Sequence, residues 1–391
     1  MTRVLFLAWR YVTYHKIKTT ILTACLTLTI VLPLTASWLV AVYGRALLSR
    51  AQATPLVVGA RGNRFDLVLK TLYFGSAHVD PLHMSAVEGL RDDPDELAQP
   101  IPLHLGFTAR GYPIVGTTLA YFDFRGLTVA WGTKPLQLGQ AVLGSVIAAD
   151  LQLGPGDALF SDQRALYDIT RTYPLKMHVV GVLADTNTPD DRAVFVDIKT
   201  AWIIAGLAHG HQDVVESADD SQILRRGEDN VVASSGIVEY NEVTPANIGS
   251  FHIHAQPEDL PLSAIIVLPA SEKAATMLKA RYNLSTTERM LVPTDVINEL
   301  LGLVFRVKRF FDANFALIAV STVLFIVLVV LLSLRIRQRE METMFKIGCG
   351  RLMACWLQIA ELAIVLVLSI VLAGSLALLA RLAAPRLMHL L

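Results

Sequence analysis

Residues 313–351 read ANFALIAVSTVLFIVLVVLLSLRIRQREMETMFKIGCGR, and two kinds of chain meet inside them. From 313 to 334 no side chain is charged. A bilayer core about 30 Å thick is crossed by roughly 20 such residues in a helix, so this window has the chemistry of a membrane span. From 335 onward the character reverses. Arg335, Arg337, Arg339, Lys346 and Arg351 stand against only Glu340 and Glu342, a net charge of +3 over 335–353. At helical period Met341, Met344, Phe345 and Gly348 form one side, with Arg337, Arg339, Glu340 and Glu342 toward the others. Such a helix either lies on lipid headgroups or docks into a partner's groove.

Working outward, two more windows lack charge, 20–42 and 362–380, the second preceded by Glu361. The first is too long for the apolar stretch of a signal peptide, and no small-residue cleavage pattern follows it. Three spans are therefore expected, at 20–43, 313–334 and 354–382, with a short tail at 383–391. Composition agrees: 53% of the chain is apolar and only 17% charged, where soluble chains carry about 25% charged residues. Lys+Arg and Asp+Glu are both 34, which excludes a strongly basic nucleic-acid binder and a disordered acidic scaffold. Three cysteines exclude a disulfide framework, and none falls in 44–312.

Charge sets the orientation. Residues 1–19 carry Arg3, Arg10, Lys16 and Lys18 with no acid, whereas 44–312 is net −8. Short basic flanks stay in the cytoplasm while long loops cross largely regardless of charge. The expectation is a cytoplasmic N-terminal segment 1–19, an exported domain 44–312, a cytoplasmic loop 335–353 and an outer C-terminus.

Within 44–312 the pattern is α/β. Apolar runs 264–268 and 290–292, each closed by a proline, alternate with helix starts at Ser271 and Thr294-Asp295, a βαβ pattern. The last of these helices enters the second span without a breaker, so movement of that span would reach the outer domain directly. Strands are expected at 56–58, 101–107, 113–117, 177–183 and 192–196, and helices at 65–73 and 85–90. A strand entering a helix is expected at 140–147, and a tight turn at 153–157. The polar stretch 209–235 reads as a loop.

No phosphate loop, nucleophile elbow, H-E-x-x-H or C-x-x-C occurs, and the two short glycine clusters Gly59–Gly62 and Gly348–Gly350 lack a dinucleotide fingerprint. Nothing in the chain argues for an enzyme or a cofactor. His209-Gly-His211 and His252-Ile-His254 each place two imidazoles on one face of a strand, with Asp213 and Glu216 near. A divalent ion is the sharper reading and surface histidines beside a loop the plainer one. Glu361 is either an intramembrane functional acid or an interface-paired carboxylate. Thr20, Thr23 and Thr27 share a face of the first span, Pro33 is expected to bend it, and Ala373, Ala377 and Ala380 line the third. Small residues of this kind make a packing seam.

Arg339-Glu340, Lys346-Ile-Gly348 and Glu361 together resemble the inner-loop signature of the MacB/FtsX-like ABC transporter permeases, the type VII or mechanotransmission class. Leu7-Ala-Trp-Arg-Tyr11 with Lys16 and Lys18-Thr19 is similar to the family's opening. Pro55-Leu-Val-Val-Gly-Ala-Arg-Gly62, Gly111-Tyr-Pro-Ile-Val-Gly-Thr117, Val142-Leu-Gly-Ser145 with Gly154-Pro-Gly-Asp157, and Val180-Gly-Val-Leu-Ala184 with Asp191-Arg-Ala-Val-Phe195 follow in the family's order. The resemblance implies an α-helical membrane protein with a large α/β extracytoplasmic domain of porter-like βαβ units (51–125 and 256–301) and an inserted β-rich subdomain (about 126–255). It implies a homodimeric permease in the bacterial inner (plasma) membrane, without an ATP-binding motif or cofactor of its own, working with a separate MacB/LolD-like ATPase subunit. Membrane lipids and a periplasmic adaptor or substrate protein are further implied partners. In this reading Arg339, Glu340, Met341, Met344, Phe345, Gly348 and Arg351 form the coupling helix. Some family members instead regulate a periplasmic partner without moving cargo. The family usually has four spans. Residues 357–391 are too few for two, so the sequence is either a three-span variant or lacks a last helix.

Overall fold

The computed structural model describes residues 2–135, 137–163, 174–210, 223–226, 231–233, 240–253, 255–336, 338, 342–343, 346 and 351–388. Two helices open the chain, α1 (Thr2–Tyr14) and α2 (Lys16–Gln52), with His15 between them. Then come β1 (Leu56–Ala60), α3 (Arg64–Tyr73), β2 (Leu82–His83), α4 (Ser85–Arg91), β3 (Ala98–Ala109) and β4 (Tyr112–Thr117). Next are α5 (Leu119–Arg125), β5 (Val129–Gly132), β6 (Gln140–Leu143), α6 (Ser145–Leu151), β7 (Ala158–Phe160) and β8 (Lys176–Leu183). They are followed by β9 (Val194–Asp197), α7 (Ile198–Ile204), β10 (Ala208–Gly210), β11 (Ile223–Arg226), β12 (Val231–Ala233) and β13 (Phe251–Ile253). The last elements are β14 (Pro261–Leu262), β15 (Ala264–Pro269), α8 (Glu272–Leu284), β16 (Glu288–Leu291), α9 (Pro293–Ile336) and α10 (Arg351–Met388).

The chain divides into two compact units, 1–47 with 300–391, and 48–299. In the first, α2, α9 and α10 are long and apolar enough to cross a membrane. Their apolar side chains point outward: Leu317, Val320, Leu324, Leu328 and Leu331 of α9 are all exposed, Leu324 at 65%. A stripe of that size has no place in water and matches a lipid-facing helix. The sequence marks 1–19 only as a basic segment, but 2–14 are helical. α1 exposes Leu5, Phe6 and Trp9 and buries Ala8 and Val12, the two-sidedness of a helix at the headgroup boundary. Val12, Leu22 and Val365 form a small core for this unit, joined by Leu26, Ile326, Val329 and Ile364.

The threonine seam is real but narrower than its sequence pattern. The Thr27 hydroxyl donates to the Ser369 carbonyl at 3.4 Å, and Ser369 Oγ lies 3.3 Å from the Thr23 carbonyl. Thr29 and Thr322 Oγ1 atoms meet at 3.1 Å. Ala373 is buried, whereas Thr20 is exposed.

In the second unit one sheet runs β16-β1-β15-β3-β4-β9-β6-β8-β5, with β7 also on β8. β4 and β9 pair in parallel, as do β6 and β8; the other neighbours are antiparallel. The expected βαβ unit is present in split form. β15 and β16 are parallel to each other, and β1 lies between them, antiparallel to both. Ser271 caps α8 as its sequence predicts, accepting from the Ala274 amide at 3.1 Å. β3 is long enough to serve two partners, β15 along 98–103 and β4 along 104–109. One core gathers Leu56, Val58, Ile265, Val267 and Leu278. A second gathers Ile114, Leu143, Ile147, Met177 and Val194. α7 contributes to both, Ile198 and Trp202 to the first and Ala201 and Ile203 to the second. The stretch 209–235, a loop by its polarity, includes among its described parts the end of β10 and the β11–β12 hairpin.

Candidate functional site

Lys18 of α2 is a basic residue in a helix whose next charge-free run begins two residues later. Its ammonium donates to Glu361 Oε1 of α10 at 2.8 Å and to Ser333 Oγ of α9 at 3.1 Å. Glu361 is buried, and Lys18 and Ser333 lie with it, so one tie fastens three helices of the first unit. A buried carboxylate is tolerated where a cation and donors meet it. Glu361 is thus ion-paired with Lys18. Ser333 and Glu361 also flank the basic stretch 335–353. In that stretch Arg339, Glu340, Met341, Met344, Phe345 and Gly348 lie outside the described residues, and Arg351 is the first residue of α10.

The second unit contains a charged cluster that sequence reading misses. Arg50, in the last turn of α2, grips Asp190 with both ends of its guanidinium, Nη1 to Oδ2 at 2.6 Å and Nη2 to Oδ1 at 2.9 Å. Arg50 Nη2 is also 3.1 Å from the Tyr121 hydroxyl, and that hydroxyl donates to Asp190 Oδ1 at 2.8 Å. Arg50 Nε donates to the Leu72 carbonyl. Thr188 Oγ1 adds a bond to Asp190 Oδ2 at 2.9 Å. The side chains of Arg50 and Asp190 are only 6% and 1% exposed. One cation thereby joins the last turn of α2 to the end of α3, to α5 and to the β8–β9 loop.

That loop is shaped to present Asp190. Thr188 caps the short turn Pro189–Arg192, and Asp191 closes the reciprocal capping box by accepting from the Thr188 amide at 3.1 Å. The Thr186 amide and hydroxyl donate to Asp191 at 3.0 and 2.9 Å. Burial pushes Asp190 up, yet the hydrogen bonds and charge of Arg50, with Tyr121 and Thr188, outweigh it and hold the carboxyl below its ordinary 3.8. Asp191 goes the other way, raised by burial and by its hydrogen bond with Asp185. Burial also raises Tyr121, which keeps its hydroxyl protonated as a donor. The signal available in the sequence is an arginine shortly after an apolar run and a Thr-x-Asp-Asp turn; nothing in either names the other.

Of the histidines, His209 on β10 and His252 on β13 stand directly opposite one another, their ring centres 5.0 Å apart. His211 and His254, like Asp213 and Glu216, lie outside the described residues.

No protein-family model and no curated protein matches the chain. Solved structures similar to it include the extracytoplasmic parts of two ABC transporters. The periplasmic region of MacB from Actinobacillus actinomycetemcomitans is 12% identical, with a TM-score of 0.35 over 66% of this chain and 97% of that one. The extracellular domain of the noncanonic ABC-type transporter YknZ from Gram-positive bacteria is also 12% identical, with a TM-score of 0.33 over 60% of this chain and 98% of that one.

Proposed function

We propose that this chain is the membrane-spanning permease subunit of a MacB/FtsX-like ABC transporter, driven by a separate ATPase subunit that binds the stretch 335–353. The observation that carries the reading is the tie among Lys18, Ser333 and Glu361, which fastens three apolar helices beside the basic, amphipathic stretch between α9 and α10. A force applied to that stretch enters helices that are pinned together and cannot simply slide past one another. α2 and α9 each continue past the boundary between the two units.

The charge asymmetry favours 1–19 and 335–353 in the cytoplasm and the acidic segment 44–312 across the membrane. In this reading the chain lies in a bacterial inner membrane as a homodimer, holds no cofactor and hydrolyses nothing itself. Its exported domain, porter-like at both ends with a β-rich insert, moves as the ATPases close and exports or extracts a substrate on the far side.

The test is purification of the full-length chain from its native membranes with the ATPase that accompanies it. Met344→Asp with Phe345→Asp places two charges on the apolar side of 335–353. We expect the ATPase to be lost from the double variant while the variant itself still inserts and purifies. An ATPase retained undiminished, or none accompanying the natural chain, would overturn the proposal.

A further inference from the structure

The β10–β13 ribbon has two faces of different kinds. Its register pairs Ala208 with Ile253, His209 with His252 and Gly210 with Phe251. Ala208, Phe251 and Ile253 pack on the second core of the unit. A side chain added at Gly210 would start 2.8 Å from the Phe251 ring, so this face is closely fitted. Strand alternation puts His209 and His252 together on the other face. The ribbon is therefore held by its apolar side, with the two imidazoles side by side on the other face.

Their spacing fits a shared ligand. An imidazole nitrogen binds a zinc-like ion at about 2.0–2.1 Å, which places the ring centre roughly 3.2 Å from the metal. Two such rings at a near-tetrahedral angle have centres about 5 Å apart. The observed separation is 5.0 Å, with the ring planes inclined at 66°. The tautomer fits as well. His252 Nδ1 lies 3.0 Å from the Ser250 carbonyl. A carbonyl only accepts, so Nδ1 carries the proton and Nε2 carries the lone pair. A bond from the second ring nitrogen to a main-chain carbonyl is how metal-ligating histidines are oriented.

We propose that His209 and His252 form a transition-metal site that takes one divalent ion of the zinc, nickel or copper type. Imidazole suits these ions, and copper binds most tightly in the divalent series. Among the described residues no group of three or more His, Cys, Asp and Glu assembles. This inference does not depend on the transporter reading.

The test uses the full-length chain in detergent, without a histidine tag and stripped with a chelator, and the probes are Cu2+ and Zn2+ alone. We expect one ion per chain and nitrogen hyperfine structure in the copper resonance spectrum. We expect His209→Phe and His252→Phe each to weaken binding by roughly tenfold or more. Phenylalanine keeps a ring in the edge contact and removes the ligand, so packing and ligation separate. His78→Phe should bind as the natural chain does. Should a phenylalanine variant fail to fold, His209→Asn or His252→Asn takes its place and is read the same way. The proposal is overturned if the natural chain takes up no stoichiometric ion, or if binding survives loss of both rings.

Discussion

Arg50 and Asp190 show how a residue can be visible in a sequence and its role invisible. Read along the chain, Arg50 is one more basic residue past an apolar helix, and Asp190 is one of several acids in a turn. Only the fold removes both from water and lays one guanidinium across two carboxylate oxygens. Breaking a buried pair from one side strands the other charge and costs about 3–5 kcal/mol, whereas replacing both by apolar groups is often close to neutral. Arg50→Met should therefore lower the urea midpoint of the full-length chain markedly. Arg50→Met with Asp190→Leu should recover most of that loss. Acid reports on the same pair. Asp190 is held below its unfolded value of 3.8, so its stabilisation is complete above that pH and fades as pH falls toward the folded value. Unfolding midpoints measured from pH 6 downward should decline below about pH 4, and the double variant should lack this part of the decline. Gly144 is a different case, because its reason lies in the space around it. A side chain there would meet the main-chain oxygens of Asp190 and Asp191 at 2.5 and 2.3 Å. Glycine at 144 thus permits the close approach of the loop that presents Asp190.

Helices and strands are the most legible level. The strands at 101–107, 113–117 and 177–183 and the helices at 65–73 and 85–90 fall inside elements of the same type, which extend them by a few residues at most. Alternation and caps are local properties, and local properties survive in one dimension. α1 escapes a sequence reading because a short basic, apolar stretch at a terminus resembles a span flank as much as an interfacial helix. Short elements such as α5, β5 and β7 carry too few residues for a period to be counted. The seam between α2 and α10 is legible from its hydroxyl residues, though not its exact membership, since rotation about a helix axis is set by the neighbour. Ser369 sits at its centre, fully buried, with oxygen contacts to both helices. Ser369→Leu should force the two helices apart and cost about 1–3 kcal/mol, measured as a lower unfolding midpoint in detergent micelles. Ser369→Ala should cost less than half of that, because it removes a hydrogen bond without adding volume.

At the scale of the whole chain, three apolar helices and an α/β unit are legible because charge and hydropathy are bulk quantities. The partnership of Lys18 with Glu361 is not, because it joins α2 to α10 across more than three hundred residues. The orientation drawn from charge has a direct check. Leu284 is 86% exposed at the end of α8. In a chain whose native cysteines are replaced by serine, Leu284→Cys should react with a membrane-impermeant maleimide added to cells with a permeable outer envelope. Labelling only after the inner membrane is breached would place the α/β unit in the cytosol. The split β15–α8–β16 arrangement has a further consequence, for biosynthesis. β1 emerges early, but both strands that flank it lie about two hundred residues further on. Nearly the whole α/β unit must be synthesised before β1 finds either neighbour. Until then β1 waits with two open edges, the stage at which a nascent chain is most in need of a chaperone.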